Sequence, residues 1–281
     1  MRALQNVLAP AKLNLFLHIT GQRDDGYHLL QSVFMLIDWC DTLHFDVRDD
    51  GVIAREDLTL ALPADDLVMR AALSLQRASG THLGAHIAID KRIPAQAGMG
   101  GGSSDAATTL LALNRLWGLN WPLSKLMPLG LTLGADVPFF LSGRNAWIEG
   151  IGEKITPLEV PTARFAVVKP NTGLETAKIF RSQELQRATE TATMPVFAVD
   201  PYGFGRNDLQ PVALALCPEI AQVIQWLSSF GLNPRMTGSG SAVFARLPDG
   251  VLIDSAPNNW QMRICSNMAV HPQAGWAASE S

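Results

Sequence analysis

The chain has 281 residues, long enough for one large or two medium domains with buried cores. Its 47% hydrophobic and 17% charged residues are the balance of a globular protein, and a formal charge of −4 argues against a nucleic-acid-binding face. No apolar run approaches membrane-spanning length and the first ten residues lack a signal peptide's apolar core, so neither nucleic acid nor membrane is expected as a partner and the expected location is cytoplasmic.

Residues 7–20 alternate as a strand, with Leu13, Leu15, Leu17 and Ile19 on one face and Lys12, Asn14, Phe16 and His18 on the other. Lys12 and Asn14 therefore share a side. Taken alone, this is an ordinary half-exposed strand with polar residues facing water. Turn chemistry follows at Gly21 and Gly26, with Tyr27 and His28 just beyond; an aromatic residue at a strand start is usually a packing residue. Leu29–Ile37 and Thr42–Val47 read as a second and a third strand, an antiparallel start to the fold. Asp65–Ser79 reads as a helix, capped by Pro63-Ala64-Asp65 and stopped by Gly80, and His86–Lys91 as a strand.

The stretch Pro94-Ala95-Gln96-Ala97-Gly98-Met99-Gly100-Gly101-Gly102-Ser103-Ser104 organises the chain. Its glycines let the backbone adopt positive φ and approach a ligand with no Cβ in the way. Ala106, Ala107, Leu110, Leu111, Leu113, Leu116 and Trp117 then recur at helical spacing until Gly118. A glycine loop feeding a helix N-terminus presents unpaired N–H groups and the positive end of the helix dipole, which suits phosphate. No lysine follows the glycines, so this is not a Walker A loop, and a dinucleotide fingerprint lacks its acidic partner about 20 residues on. The simpler alternative is a turn with a serine N-cap at Ser103 or Ser104. So many glycines beside two serines favour phosphate.

Leu123–Leu133 reads as helical, with Pro128 and Gly130 expected to break it; Asp136 then reads as the N-cap of a short buried helix. Residues 144–150 and 164–169 look like strands, and the Gly/Pro-rich segment 150–161 between them marks a boundary dividing the chain into 1–157 and 158–281. Helical segments are predicted at 172–182 and 211–230, with a loop over 187–201. Thr237-Gly238-Ser239-Gly240-Ser241 is a second glycine–serine turn; 256–268 reads as a short helix and a last strand, and 269–281 as a mobile tail. Cys40, Cys217 and Cys265 read as reduced thiols, and His82 and His86 as surface or core residues rather than metal ligands.

Three segments, Pro10-Ala11-Lys12-Leu13-Asn14-Leu15, Gly98 to Ala107 and Thr237 to Ser241, occur in the order seen in the GHMP family of small-molecule kinases, which the chain resembles. Gly21-x-Arg23-x-Asp25-Gly26-Tyr27-His28 and Gly134-Ala135-Asp136-Val137-Pro138 strengthen the likeness, which spans residues 7–245. It implies a two-domain α+β fold with the active site in the interdomain cleft, ATP and Mg²⁺ as cofactors, and a small-molecule acceptor. Lys12 and Asp136 would be the catalytic pair, Asp136 facing the attacking hydroxyl and Lys12 neutralising phosphoryl charge. Residues 94–104 would hold ATP, with Ser103 or Ser104 as a magnesium ligand.

The resemblance also implies that Tyr27, His28 and Phe204 surround a cytosine and that Asn14 and Thr176 reach the rest of the substrate, here the 2-hydroxyl-bearing part of cytidine diphosphate methylerythritol. Thr237–Ser241 is expected to be structural support. The alternatives are a GHMP kinase for homoserine, mevalonate or a sugar, or an inactive nucleotide-binding protein. A monomer or homodimer fits either.

Overall fold

The computed structural model describes residues 2–279. Two long strands, β1 (Ala3–Gln22) and β2 (His28–Arg48), form an antiparallel hairpin with Lys12 opposite Leu36 and Gln22 opposite His28. The two strands expected at 29–37 and 42–47 are thus one. The intervening Asp38-Trp39-Cys40-Asp41 holds neither glycine nor proline to turn the chain, and a register shift absorbs it, Pro10 facing Cys40 and Ala11 facing Ile37.

Next, β3 (Ile53–Asp57) runs parallel to β4 (Gly84–Asp90), with α1 (Leu67–Ser79) crossing between them. Its cap is Asp66, one residue later than expected: the carboxylate accepts the Met69 N–H at 3.1 Å. Helix α2 (Gly101–Leu116) starts inside the glycine run, with Gly100 at φ 70° as its cap, so neither Ser103 nor Ser104 caps it. Buried from Ser104 to Asn114, it packs on α1, β1 and the later α4 (Val137–Ser142).

Helix α3 (Leu123–Leu133) runs on through Pro128 and Gly130. Gly130 serves close packing instead of breakage: a Cβ there would lie 2.7 Å from Leu141 Cδ1. Strand β5 (Ala146–Glu149) pairs with β2 and with β6 (Lys154–Pro157).

The second half holds β7 (Arg164–Lys169), the short α5 (Thr176–Phe180), and α6 (Met194–Val199) within the segment expected as a loop. The helix expected over 211–230 is two, α7 (Gln210–Leu216) and α8 (Pro218–Ser228), because Pro218 has no N–H with which to continue α7. Strands β8 (Arg235–Met236), β9 (Val243–Leu247) and β10 (Gln261–Met268) complete it, and no helix forms over 256–260.

Sheet order is β3-β4-β2-β10-β7-β9-β8, with β10 joining the halves by pairing Asn267 and Met268 to Ile37 and Leu36. One apolar core lies around α2, a second around α8 and β7, and a third at the junction, where Leu13, Leu15, Phe16 and Met99 meet Phe165 and Phe244. Leu17 and Ile19 of β1 reach the second core. The expected mobile tail instead packs back on the first half: the His271 N–H reaches the Gly143 carbonyl at 2.9 Å and the Ala278 N–H the Trp121 carbonyl at 3.2 Å. Residues 280 and 281 of that tail lie outside the described residues. Among the described residues no helix is long and apolar enough to cross a membrane.

Candidate active site

A cleft of about 630 Å³ opens between the two halves, walled by Pro94–Gly102 on one side and by Thr176, Phe180 and Gly238–Gly240 on the other. The two glycine turns interlock at its floor. The Ser241 N–H donates to the Gln96 carbonyl at 3.1 Å and the Ala242 N–H to the Ala97 carbonyl at 3.2 Å. Gly98 sits at φ 72° and Gly238 at φ 53°; a Cβ on Gly98 would lie 2.8 Å from Gly240 N and closer still to the Thr237 carbonyl oxygen, and one on Gly238 would lie 2.5 Å from the Gly98 carbonyl oxygen. The second turn is therefore a brace for the first.

Lys12 and Asp136 meet in this cleft. The Lys12 backbone N–H donates to the Met99 carbonyl at 3.0 Å, which seats β1 beside the loop. Its ammonium lies 3.6 Å from the Asp136 carboxylate, donates to Asn14 Oδ1, and sits 4.4 Å above the Phe34 ring. Burial lowers the Lys12 pKa, with the Asp136 charge opposing. Asp136 does precede α4, as its spacing suggests, but its side chain makes no capping bond and remains turned to Lys12. Asn14 is fixed from both sides, donating Nδ2 to Ser32 Oγ at 3.0 Å and its backbone N–H to Thr237 Oγ1 at 2.9 Å.

A second buried charge cluster anchors the loop's flanks. Lys91 bridges the carboxylates of Asp41 and Asp105, the latter at 2.6 Å, so the end of β4, the middle of β2 and the first turns of α2 are tied together. Burial opposes the Lys91 charge, yet Asp105 and Asp41 outweigh it and raise its pKa; burial raises the pKa of Asp105, with Lys91 opposing. The sequence signal was an acidic residue directly after Ser103-Ser104, and the reading from sequence passed over it.

Of the two serines, Ser104 is fully buried and donates its hydroxyl to the Pro10 carbonyl at 2.7 Å. Ser103 is half-buried, and neither serine is among the residues walling the cleft. Among the described residues no group of three His, Cys, Asp or Glu side chains could cage a metal.

At the far end Phe180 lines the cleft, whereas Tyr27 and His28 are not among its wall residues. Thr176 lines it and bonds Ser239 Oγ at 2.7 Å. Tyr27, 60% exposed, stands at the hairpin tip, and the adjacent His28 ring packs on Phe180 with centroids 5.1 Å apart. Phe204 is not beside them: it packs edge-on against Phe16 at 5.0 Å and Phe197 at 5.8 Å. Phe180, four residues after Thr176, lines this end of the cleft, as Phe34 does beside Lys12, and the sequence reading missed it because 160–207 carries no strong motif. An ammonium beside a carboxylate, next to a helix-start loop, suits attack by a hydroxyl on a phosphoryl group.

Family models agree with that chemistry: residues 66–144 match the GHMP kinases N-terminal domain and residues 202–261 the GHMP kinases C-terminal domain. The chain belongs to the GHMP kinase family. It is an ATP-dependent small-molecule kinase of two-domain α+β build. Its curated relatives include the 4-diphosphocytidyl-2-C-methyl-D-erythritol kinases of Albidiferax ferrireducens, 63% identical over 280 residues (100% of this chain, 98% of the relative), and of Paracidovorax citrulli, 62% identical over 284 residues (100% of each). A crystal structure of 4-(cytidine 5'-diphospho)-2C-methyl-D-erythritol kinase superposes with a TM-score of 0.72 at 36% identity, covering 85% of this chain and 88% of that one. A mevalonate kinase structure, at TM-score 0.66 and 15% identity over 93% of this chain and 98% of that one, shares the fold.

Proposed function

We propose that the enzyme transfers the γ-phosphoryl group of ATP to the 2-hydroxyl of 4-diphosphocytidyl-2-C-methyl-D-erythritol, in the supply of isoprenoid precursors. The observation that carries the reading is the Lys12–Asp136 pair at 3.6 Å, set in one cleft with the glycine loop, Thr176 and Phe180. Residues 94–104 hold the nucleotide, the free backbone N–H groups of their glycine run cradling the phosphates at the positive end of α2. Asp136 orients the acceptor hydroxyl and takes its proton as the oxygen–phosphorus bond forms. Lys12, buried 3.6 Å from Asp136, stabilises charge on the transferring oxygens, and its burial makes that charge effective.

Asn14, held by Ser32 and Thr237, and Thr176 contact the methylerythritol or diphosphate part. Tyr27 and His28 form one wall of the cytosine site, and Phe180 takes the facing role first expected of Phe204, whose ring is committed to Phe16 and Phe197. Mg²⁺ would neutralise the nucleotide's phosphates; the Ser104 hydroxyl is engaged by Pro10, and Ser103 would have to turn toward the cleft to serve as a ligand. We place the enzyme in the cytoplasm, as a monomer or homodimer without a nucleic-acid partner.

ADP release tests this with Mg·ATP and the cytidine substrate beside homoserine, mevalonate and galactose. Turnover with the cytidine compound alone is expected. Turnover with another acceptor would keep Lys12, Asp136 and the loop but remove the base site.

A further inference from the structure

Arg187 lies outside every motif, yet it connects His28 with the segment that follows the cleft-lining Phe180. Its Nε donates to His28 Nε2 at 3.1 Å, its Nη1 to the Leu185 carbonyl at 3.0 Å, and its Nη2 to the Ser182 carbonyl at 2.7 Å and the Phe180 carbonyl at 3.4 Å. The same guanidinium thus holds the His28 ring and the turn that follows Phe180. A guanidinium only donates hydrogen bonds, so the ring nitrogen it meets must be a bare acceptor. A neutral imidazole with Nε2 as acceptor carries its proton on Nδ1.

We infer that Arg187 is the positioning residue of the base site, fixing His28 as the neutral Nδ1–H tautomer and so as a hydrogen-bond donor to the substrate's base. The inference rests on the assignment of His28 to that base. A fixed donor satisfies the N3 or O2 acceptors of cytosine and cannot serve its 4-amino group, which needs an acceptor elsewhere. Burial and the Arg187 charge also lower the His28 pKa, which keeps the ring neutral at physiological pH.

Nitrogen-15 NMR of the histidine side chains, with His28 assigned by its loss in His28→Gln, reads the tautomer in the unmutated enzyme. A neutral Nδ1–H ring at pH 7 is expected; an Nε2–H ring or an imidazolium would overturn the inference without any arginine variant. Arg187→Met should release the tautomer to a mixture and raise KM for the cytidine substrate about five- to tenfold, the worth of roughly one hydrogen bond, with kcat and the KM for ATP within about twofold. Equal rises in both KM values, or an unchanged tautomer, would count against it.

Arg187→Lys keeps one donor for Nε2 and covers the case in which the methionine variant does not fold; it should retain the Nδ1–H tautomer. Finally, His28→Ala separates the two claims. An unchanged KM for the cytidine substrate in that variant would overturn the base-site assignment while the tautomer result stood.

Discussion

The two ends of the cleft are built differently. At the glycine-loop end most groups are cross-braced: Lys12 to Met99 and Asn14, Asn14 to Ser32 and Thr237, and the glycine loop to the 237–241 turn through backbone bonds from the opposite half of the chain. At the Phe180 end Tyr27 is 60% exposed on a hairpin tip and the short α5 carries both Thr176 and Phe180. Phosphoryl transfer gains from fixed charges and tolerates little displacement. Stacking on a base requires only a flat ring at the right distance, so that end can be assembled from exposed side chains. Rate should therefore reside at one end and substrate choice at the other.

The largest expected effect removes the carboxylate. Asp136→Asn should lower kcat by about 10³-fold or more, within the general-base range, while ATP binding measured by calorimetry persists. Lost binding instead would make Asp136 part of the nucleotide site and blur the division. Lys12→Met follows, with kcat down about 10²–10³-fold, the effect of deleting one preorganised donor at a developing charge. Because burial lowers the Lys12 pKa, the alkaline limb of kcat should fall below the ordinary lysine value of 10.5, and Lys12→Arg should move that limb upward. A limb unmoved by the arginine would assign it to another group.

Third, Gly98→Ala tests the brace. Its positive φ and the carbonyl and amide atoms of the second turn leave no space for a Cβ, so urea unfolding should show a loss of about 2–3 kcal/mol together with weaker ATP binding. A stable Gly98→Ala enzyme with intact ATP affinity would show the two turns to be merely adjacent. Smallest is Phe180→Ala, expected to raise KM for the cytidine substrate about tenfold, one stacking interaction's worth, with kcat and ATP KM held. Phe204→Ala should show the reverse pattern, a lower melting temperature with KM for that substrate unchanged, since its ring contacts are Phe16, His18 and Phe197.

Much of the glycine-loop end was legible in the chain. Glycines and serines before an apolar helix specify a local backbone shape whose chemistry follows from N–H groups and dipole, and the alternation that puts Lys12 beside Asn14 is a period-two property of one strand. Helix α1, the glycine caps and most strands are likewise short-range decisions. What the sequence alone could not decide was which distant groups meet. By spacing Asp136 reads as a helix cap, and only the approach of β1 to α4 makes it the partner of Lys12. Phe204 and Phe180 are both aromatic residues in a weakly patterned stretch; packing against Phe16 takes one inward, and the turn held by Arg187 brings the other to His28. Asp41, Lys91 and Asp105 are 50 and 14 residues apart, and their union rests on tertiary burial that makes an unpaired charge costly. The tail, rich in alanine but without a periodic pattern of its own, is ordered through residue 279 by the surface it covers around Gly143 and Trp121, with Trp276 and Ala277 on the first core, which no local rule could reveal.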